Sequence, residues 1–329
     1  MRVDVLIPAY NAAGSIGRAV ASALAEPEVA SVIVVDDCSS DETAPAATAA
    51  GAGDARLQIV RFAQNRGPAA ARNHALSLGS APLVTMLDAD DWLLPGRFRR
   101  LLDGPDEWDF IADNILFRQA VDEFSPLPIA LLGGLPARRR RLGLAEFVDR
   151  NISRPGKRRS ELGFLKPVMR RSVLEQSGLS YAGDVRLGED FVLYCRAMAL
   201  GARFMLSLPC GYIAIEHAGS LSGRHSVADL EAFLAATRTI ADSGRIFPEE
   251  RRMLARHHAS IERKIRHRKF LETKRERGIG PACLAQAGNP LGLVQVAVDV
   301  YRDKRGSAST GQPAKDRMLL DPDDFADCN

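Results

Sequence analysis

Lysine is missing from the first 156 residues of this 329-residue chain, and all seven lysines lie at or beyond Lys157. Residues 1–109 carry nine Arg against fifteen Asp plus Glu, about −6 in a chain whose total charge is +3, so the remainder carries about +9. The charge is thus divided between the two ends, with arginines concentrated at residues 138–141, 154–159 and 251–277. The basic part calls for an anionic partner, and long-range electrostatics alone does not say whether that is nucleic acid, a membrane surface or a phosphorylated substrate. Cysteine is also sparse: Cys38, Cys195, Cys210, Cys283 and Cys328 are odd in number and scattered, with no Cys-x-x-Cys pair and no His cluster at zinc spacing. They read as reduced thiols. The longest apolar stretches, such as Val32–Val35 and Leu291–Val298, fall short of the roughly 20 residues a spanning helix needs, so no transmembrane helix is expected. The opening Met-Arg-Val-Asp-Val-Leu-Ile-Pro lacks the parts of a secretory signal, and a cytoplasmic protein is expected. The 46% hydrophobic and 26% charged residues are the balance of a globular chain rather than a disordered one.

What is present is a succession of short apolar runs separated by helical patterns. Val3–Pro8 is strand-like, Ser15–Leu24 is helical and Ser31–Asp36 is again strand-like, which makes a β-α-β unit. Asp41-Glu42-Thr43 opens a second helix, Leu57–Phe62 alternates as a strand, and Pro68–Leu78 is an alanine-rich helix ending at Gly79. Leu83–Leu87 then runs into Asp88-Ala89-Asp90-Asp91. Strands alternating with helices predict a mostly parallel sheet with helices on both faces, whose ligands bind beyond the carboxyl ends of the strands. A further strand is expected at Trp108–Phe117, an irregular insertion over Leu127–Lys166, and helices at Ser172–Gly178 and Glu189–Gly201. A short strand at Arg203–Leu206 and long helices from Val227 to about Arg277 complete the pattern. The Gly-, Ser-, Pro- and Asp-rich tail from Lys304 is expected to be disordered.

The polar clusters fall at the strand ends. Asp88-x-Asp90, with Asp91 beside it, can bridge a divalent cation to a ligand phosphate, or simply cap the next helix. Asp36-Asp37 and the Ser39-Ser40-Asp41 that follows can accept hydrogen bonds from a base or ribose, or serve as a helix N-cap. Asn65-Arg66-Gly67-Pro68 through Arg72-Asn73 enters a helix through a Gly-Pro turn, aiming free N–H groups and Arg72 at one point that can hold an anion; a structural arginine is the simpler reading. Glu189-Asp190 is either chemical or an acidic helix N-terminus.

In order along the chain, Pro8-Ala9-Tyr10-Asn11, Val35-Asp36-Asp37-Cys38-Ser39, Asn65-Arg66-Gly67 to Arg72-Asn73 and Leu87-Asp88-Ala89-Asp90-Asp91 resemble the inverting GT-A glycosyltransferases of family 2. The resemblance continues at Leu187-Gly188-Glu189-Asp190 and Gly219-Ser220-Leu221-Ser222 and covers about residues 3–225. It implies a GT-A domain over 1–225, followed by a basic helical extension at 226–303 and the tail at 304–329. It also implies donor contacts from Pro8, Ala9, Tyr10, Asn11, Asp37, Asn65, Arg72, Asp88 and Ala89, a Mn or Mg ion at Asp90, and Asp190 as base beside Glu189. Two departures are Cys38, where the family usually has glycine, and the segment before His217, which leaves His217 an uncertain metal or diphosphate ligand. The segments Phe110–Asn114, Asn151–Arg154, Gly163–Pro167 with Lys166 as a further uncertain site residue, and Leu221-Ser222-Gly223 resemble the members that build succinoglycan-type exopolysaccharide. That narrower likeness implies UDP-glucose as donor, a lipid-linked oligosaccharide as acceptor and a β-1,6 bond.

Residues 251–277 hold eleven Lys plus Arg against three Glu around an imperfect apolar stripe. Such a helix can lie on an anionic membrane or pack as a solvated helix on the catalytic domain. Two other functions use similar parts. A sugar nucleotidyltransferase needs a basic Gly-rich N-terminal loop, and Pro8–Gly14 does not supply one; a nucleic-acid-binding protein using the basic helices is opposed by the acidic N-terminal half. A NAD-dependent enzyme is disfavoured because no Gly-x-Gly-x-x-Gly follows the first strand.

Overall fold

The computed structural model describes residues 1–105, 107–119, 127, 138–152, 154, 161–216, 225–242, 244–285, 295, 296, 298 and 316–326. Its first half alternates as expected: β1 (Val3–Ala9), α1 (Ile16–Leu24), β2 (Val29–Asp36), α2 (Thr43–Gly51), β3 (Leu57–Arg61), α3 (Pro68–Leu78) and β4 (Leu83–Met86). Val3, Val5, Leu6 and Ile7 of β1 and Val32–Val35 of β2 are buried almost completely, which explains continuous apolar runs in place of alternation. β5 (Trp92–Leu93), α4 (Arg97–Leu102), β6 (Phe110–Gln119), β7 (Arg139–Leu142) and α5 (Leu144–Arg150) follow. Then come β8 (Val168–Arg170), α6 (Arg171–Gln176), α7 (Glu189–Ala199), β9 (Phe204–Glu216), α8 (Val227–Arg238), α9 (Pro248–Arg277), α10 (Ile279–Leu284) and β10 (Arg317–Met318).

The sheet runs β3-β2-β1-β4-β8-β6-β9-β5, with β7 paired to β9 and β10 to β6. The first four strands are parallel, β8 is antiparallel to both β4 and β6, and β6 and β9 are parallel again. The reversed strand β8 brings residues just before it, including Lys166, beside the carboxyl end of β4: Lys166 Nζ lies 2.8 Å from Asp88 Oδ2. One core spans the sheet and extends to Met253, Leu254, Ile261 and Ile265 of α9, so the basic helix packs on the catalytic sheet domain through its apolar stripe.

Three expectations are corrected. The stretch expected to be irregular contains β7, in which Arg139–Leu142 pairs with Phe204–Ser207, and α5, whose Phe147 and Val148 are buried. Arg139 turns its guanidinium inward to the carbonyl oxygens of Arg100, Leu101 and Asp103, a use that a run of arginines does not announce. The expected short strand at Arg203–Leu206 extends to Glu216, because a register shift opposite Asn114 lets a long strand follow β6. Finally, 316–326 is ordered by packing: Met318, Leu319, Leu320 and Phe325 are buried, and Asn114 holds Leu320 by both its N–H (2.7 Å) and its carbonyl oxygen (2.8 Å). The expected disorder of the tail therefore does not hold there, whereas 304–315 lies outside the described residues.

Candidate active site

The carboxyl ends of β1, β2 and β4 are tied into one rim. Asn11, at φ +50, donates its N–H to Ser39 Oγ (2.9 Å) and accepts at Oδ1 from Ser40 N–H (2.8 Å). Pro8 and Ala9 lie within β1, and Tyr10 projects outward, 54% exposed. Asp37 is buried and accepts from the N–H groups of Arg66 (2.7 Å) and Gly67 (2.8 Å), while Asn65 Nδ2 donates to the Asp37 carbonyl (3.2 Å). The expectation that this turn presents free N–H groups to an anion is thus corrected for Arg66 and Gly67, whose donors are taken by Asp37. Cys38 sits at φ +64, a conformation that side chains resist and glycine adopts freely, which fits the glycine that the family resemblance implies there.

A second group of residues meets at the end of β4. Arg72, on α3 and buried, pairs through NH1 with Glu189 and through NH2 with Asp88 Oδ1 (3.2 Å). Lys166 Nζ donates to Asp88 Oδ2 and to Asp190 Oδ2, each at 2.8 Å. Three carboxylates therefore face two cations in a site that excludes most water: Arg72, Lys166 and Asp190 are all under one-tenth exposed. Burial opposes the charge on Arg72, yet Glu189, Asp190 and Asp88 raise its pKa well above the ordinary value. Burial likewise opposes charge on Lys166, and the Asp190 and Asp88 carboxylates overcome it and push its pKa up. Asp88 is desolvated too, but Lys166 and Arg72 hold its pKa below the usual carboxylate range. The Tyr181 hydroxyl is buried and faces the Asp190 carboxylate; burial first and then that carboxylate raise the Tyr181 pKa well above its ordinary value, although neither Asp190 Oδ1 nor that hydroxyl makes a well-formed hydrogen bond.

Gly188 shapes the entry to this group. It caps α7 at φ +68, and a Cβ there would lie 2.7 Å from the Phe233 ring, so the turn carrying Glu189 and Asp190 depends on a residue without a side chain. Asp91 is committed within the fold: it accepts from the Tyr212 hydroxyl (2.7 Å) and the Ile215 N–H (2.9 Å), and Tyr212 also accepts from Asp88 N–H (3.1 Å). Its pKa is raised well above the usual range, by burial first and then by Asp90 and Asp88. The smaller part of that shift is repulsion from Asp90 and Asp88, which a divalent cation at this turn would relieve. Among the described residues no group of three or more His, Cys, Asp or Glu is arranged to hold a metal. A Mn or Mg ion at half-buried Asp90 would then complete its shell from ligand phosphates, the usual arrangement for a hard cation of that kind.

The structure brings Arg72, Asp88, Lys166, Glu189 and Asp190 together and places Asp37 and Asn65 in the neighbouring turn. Ala89 is buried in the β4 turn, and His217 lies outside the described residues. Sequence reasoning missed Tyr181 and Tyr212, which carry no motif, and the aromatic trio Phe191, Phe233 and His257. His257 of α9 stacks on Phe191 with centroids 4.6 Å apart and meets Phe233 edge-on at 5.7 Å.

A parallel sheet ending in Asp88-Ala89-Asp90, a buried Asp190 beside it and the ordered motifs define a nucleotide-sugar transferase of the GT-A type, and the chain belongs to glycosyltransferase family 2. Residues 4–160 match the model described as glycosyl transferase family 2. Over 311 residues, 92% of this chain and 87% of the relative, it is 45% identical to the succinoglycan biosynthesis protein ExoU of Rhizobium meliloti (strain 1021). It is 34% identical over 243 residues, 71% of this chain and 66% of the relative, to the succinoglycan biosynthesis protein ExoO of the same organism. Among solved structures, S. aureus TarS 1–349 in complex with UDP-GlcNAc shares the fold at a TM-score of 0.60 and 16% identity, over 86% of this chain and 89% of that one. The mannosyltransferase PcManGT from Pyrobaculum calidifontis, in complex with GDP-Man and Mn2+, does so at 0.52 and 17%, over 92% and 88%.

Proposed function

We propose that this glycosyltransferase moves glucose from UDP-glucose to a hydroxyl of a lipid-linked oligosaccharide in the synthesis of a succinoglycan-type exopolysaccharide, forming a β-1,6 bond with inversion. The reaction rests on one observation above all: Asp190, buried and held through Oδ2 by Lys166 at 2.8 Å, beside the carboxyl end of β4. The sugar and acceptor class rest on the 45% identity to ExoU.

In this reading Asp190 Oδ1 receives the proton of the acceptor hydroxyl as that oxygen attacks the anomeric carbon from the face opposite the nucleotide. The carbon–oxygen bond to the diphosphate breaks in the same displacement, so an α-linked donor yields a β-linked product. Lys166 fixes the Asp190 carboxylate through its other oxygen, leaving Oδ1 directed to the acceptor. Arg72 and Asp88 border the donor; Asp37, Asn65 and the Pro8–Asn11 segment frame the nucleotide pocket, with Ala89 in the turn between. Asp90 would hold a Mn or Mg ion, which would supply Lewis-acid stabilisation of the charge growing on the departing diphosphate. Glu189 orients the site through Arg72. The basic face of α9 supports peripheral contact with an anionic membrane, where a lipid-carried acceptor would be met.

The test is release of UDP from a panel of UDP-sugars with Mn or Mg, with and without lipid extract, for the unaltered chain, Asp90→Ala and Asp190→Ala. Metal-dependent turnover of UDP-glucose that both substitutions abolish supports the assignment. Turnover of a different donor replaces glucose, and absence of turnover with every donor overturns the reading.

A further inference from the structure

The two edges of β6 are covered differently. β9 runs along one edge from Phe110 to Gln119, whereas on the other β8 pairs with Phe110 and Ile111 and leaves the later residues to β10, where Met318 faces Leu116 and Arg317 faces Phe117. β10 therefore sits at the carboxyl end of the sheet, on the edge from which residues 164–166 lead into β8. Successive residues of a strand point to opposite faces, so Arg317 and Met318 reach different parts of the site.

On one face the Arg317 guanidinium lies over the Phe117 ring, 4.1 Å from its centroid, and Phe117 meets Phe164 edge-on at 5.7 Å. Phe164 stands two residues before Lys166, whose Nζ holds the Asp190 carboxylate at 2.8 Å. On the other face Met318 packs with Leu116 and Ile213, and Trp92 lies against that cluster. Trp92 pairs with Ile213 and directly follows Asp91, which accepts from the Tyr212 hydroxyl and the Ile215 N–H. Arg317 also pairs with Glu216, the last residue of β9, at 2.7 Å, so the strand that anchors Asp91 is tied to β10 as well.

We propose that the C-terminal segment is a clamp on the active site, in which Arg317 and Met318 are positioning residues: Arg317 steadies the segment that brings Lys166 to Asp190, and Met318 backs the turn at 88–91. This inference rests on the transferase reading above. Each residue acts through others, by a relay of direct contacts. The clamp is itself held at both ends, by Arg118 on Asp316 (3.3 Å) and Arg150 on Asp324 (2.7 Å). A base and a cation-binding turn must keep their geometry to a fraction of an ångström, so slack introduced from outside costs rate beyond what it costs in stability.

The test uses the full chain, lipid extract, Mn and the UDP-sugar that the donor panel selects. Arg317→Ala is expected to lower kcat about tenfold at saturating Mn, with the half-activating Mn concentration moving by less than about twofold. Met318→Ala is expected to raise the half-activating Mn concentration about fivefold and to keep kcat at saturating Mn within about threefold. Should Met318→Ala not fold, Met318→Val removes part of the same packing. Arg150→Ala breaks the pair with Asp324 and is the control for lost stability alone: its thermal midpoint falls and both kinetic values stay. Backbone hydrogen exchange without any ligand reads the clamp independently of turnover, with faster exchange expected at 162–166 in Arg317→Ala and at 91–94 in Met318→Ala, and none in β1–β3. Those exchange changes without transfer by the unaltered chain support the clamp and count against the donor reaction. Unchanged exchange at both segments, unchanged kinetics, or kinetic losses that merely follow the thermal midpoint in all three variants overturn the clamp.

Discussion

At the scale of single residues, the site is governed by how buried charges are compensated. Lys166 touches both Asp88 and Asp190, 2.8 Å from each. Replacing it by Met leaves buried Asp190 and half-buried Asp88 short of a partner, and removing one partner of a buried pair typically costs about 3–5 kcal/mol. The double variant with Asp190→Asn is expected to recover part of that loss, and a urea-denaturation cycle in which the two effects merely add would refute the coupling. Farther along the same turn, repulsion between neighbouring carboxylates adds to burial in raising the Asp91 pKa. Addition of Mn is therefore expected to raise the thermal midpoint of the unaltered chain, and to raise it distinctly less in Asp90→Ala; equal shifts in both proteins would remove Asp90 as the metal ligand. Much of this was legible beforehand, because carboxylates at the end of an apolar strand stand out in any sequence. The bridge from Lys166 was not, since the strand that delivers it is reversed and Gly163-Phe164-Leu165-Lys166 has no periodicity to reveal its direction. Nor was the use of Asp37, which spends its oxygens on the turn of Arg66 and Gly67.

At the scale of elements, the turn bearing Glu189 and Asp190 is buttressed from outside the sheet. Charged residues made α9 look like a solvated or membrane-facing helix, and its apolar stripe was visible, but a histidine among arginines gave no sign of facing inward. His257 is buried, and its pKa is pushed down to about 3, by burial first and then by the nearby charges of His258 and Lys264. A histidine held neutral in the fold binds a proton more readily once unfolded. Stability from this residue is thus present in full above its ordinary value near 6.5 and is lost as pH falls from there toward about 3. The slope contributed is at most about 1.4 kcal/mol per pH unit. His257→Phe keeps the stack on Phe191 and removes the titration, so its stability is expected to fall less steeply between pH 6 and 4, while His257→Ala loses the stack and slows turnover. Denaturation midpoints across that range decide it, and parallel curves for the unaltered chain and His257→Phe would place the acid sensitivity elsewhere.

At the scale of the whole molecule, the chain order of strands was readable as far as β4, where each strand is local and parallel, and was lost where β8 reverses and β7 and β10 join the sheet. The charge division has a clear expected consequence. Phe247 just before α9, and Ile279 and Leu284 of the following α10, are more than 60% exposed near the arginines and lysines of α9. Vesicles containing anionic phosphatidylglycerol should sediment the protein at low salt, with binding that weakens as salt rises and with Ile279→Asp or Leu284→Asp; neutral phosphatidylcholine vesicles retaining it equally would rule out the electrostatic part. The tail makes a different demand. Composition there resembles that of a disordered segment, yet Leu319, Leu320 and Phe325 bury almost all of their surface and Arg150 pairs with Asp324 at 2.7 Å. What closes it is Asn114, whose side chain at the β6 irregularity accepts the Leu320 N–H and donates to the Leu320 carbonyl, a pairing 206 residues apart that no local pattern encodes. Phe325→Ala should cost about 3–5 kcal/mol, as expected for emptying an aromatic site in a core. Removal of 316–329 should cost at least as much, because it also strips Met318 from β6 and uncovers the end of α5. If the truncated chain unfolds at the same urea concentration as the full one, the tail is an ornament on the sheet rather than part of its core.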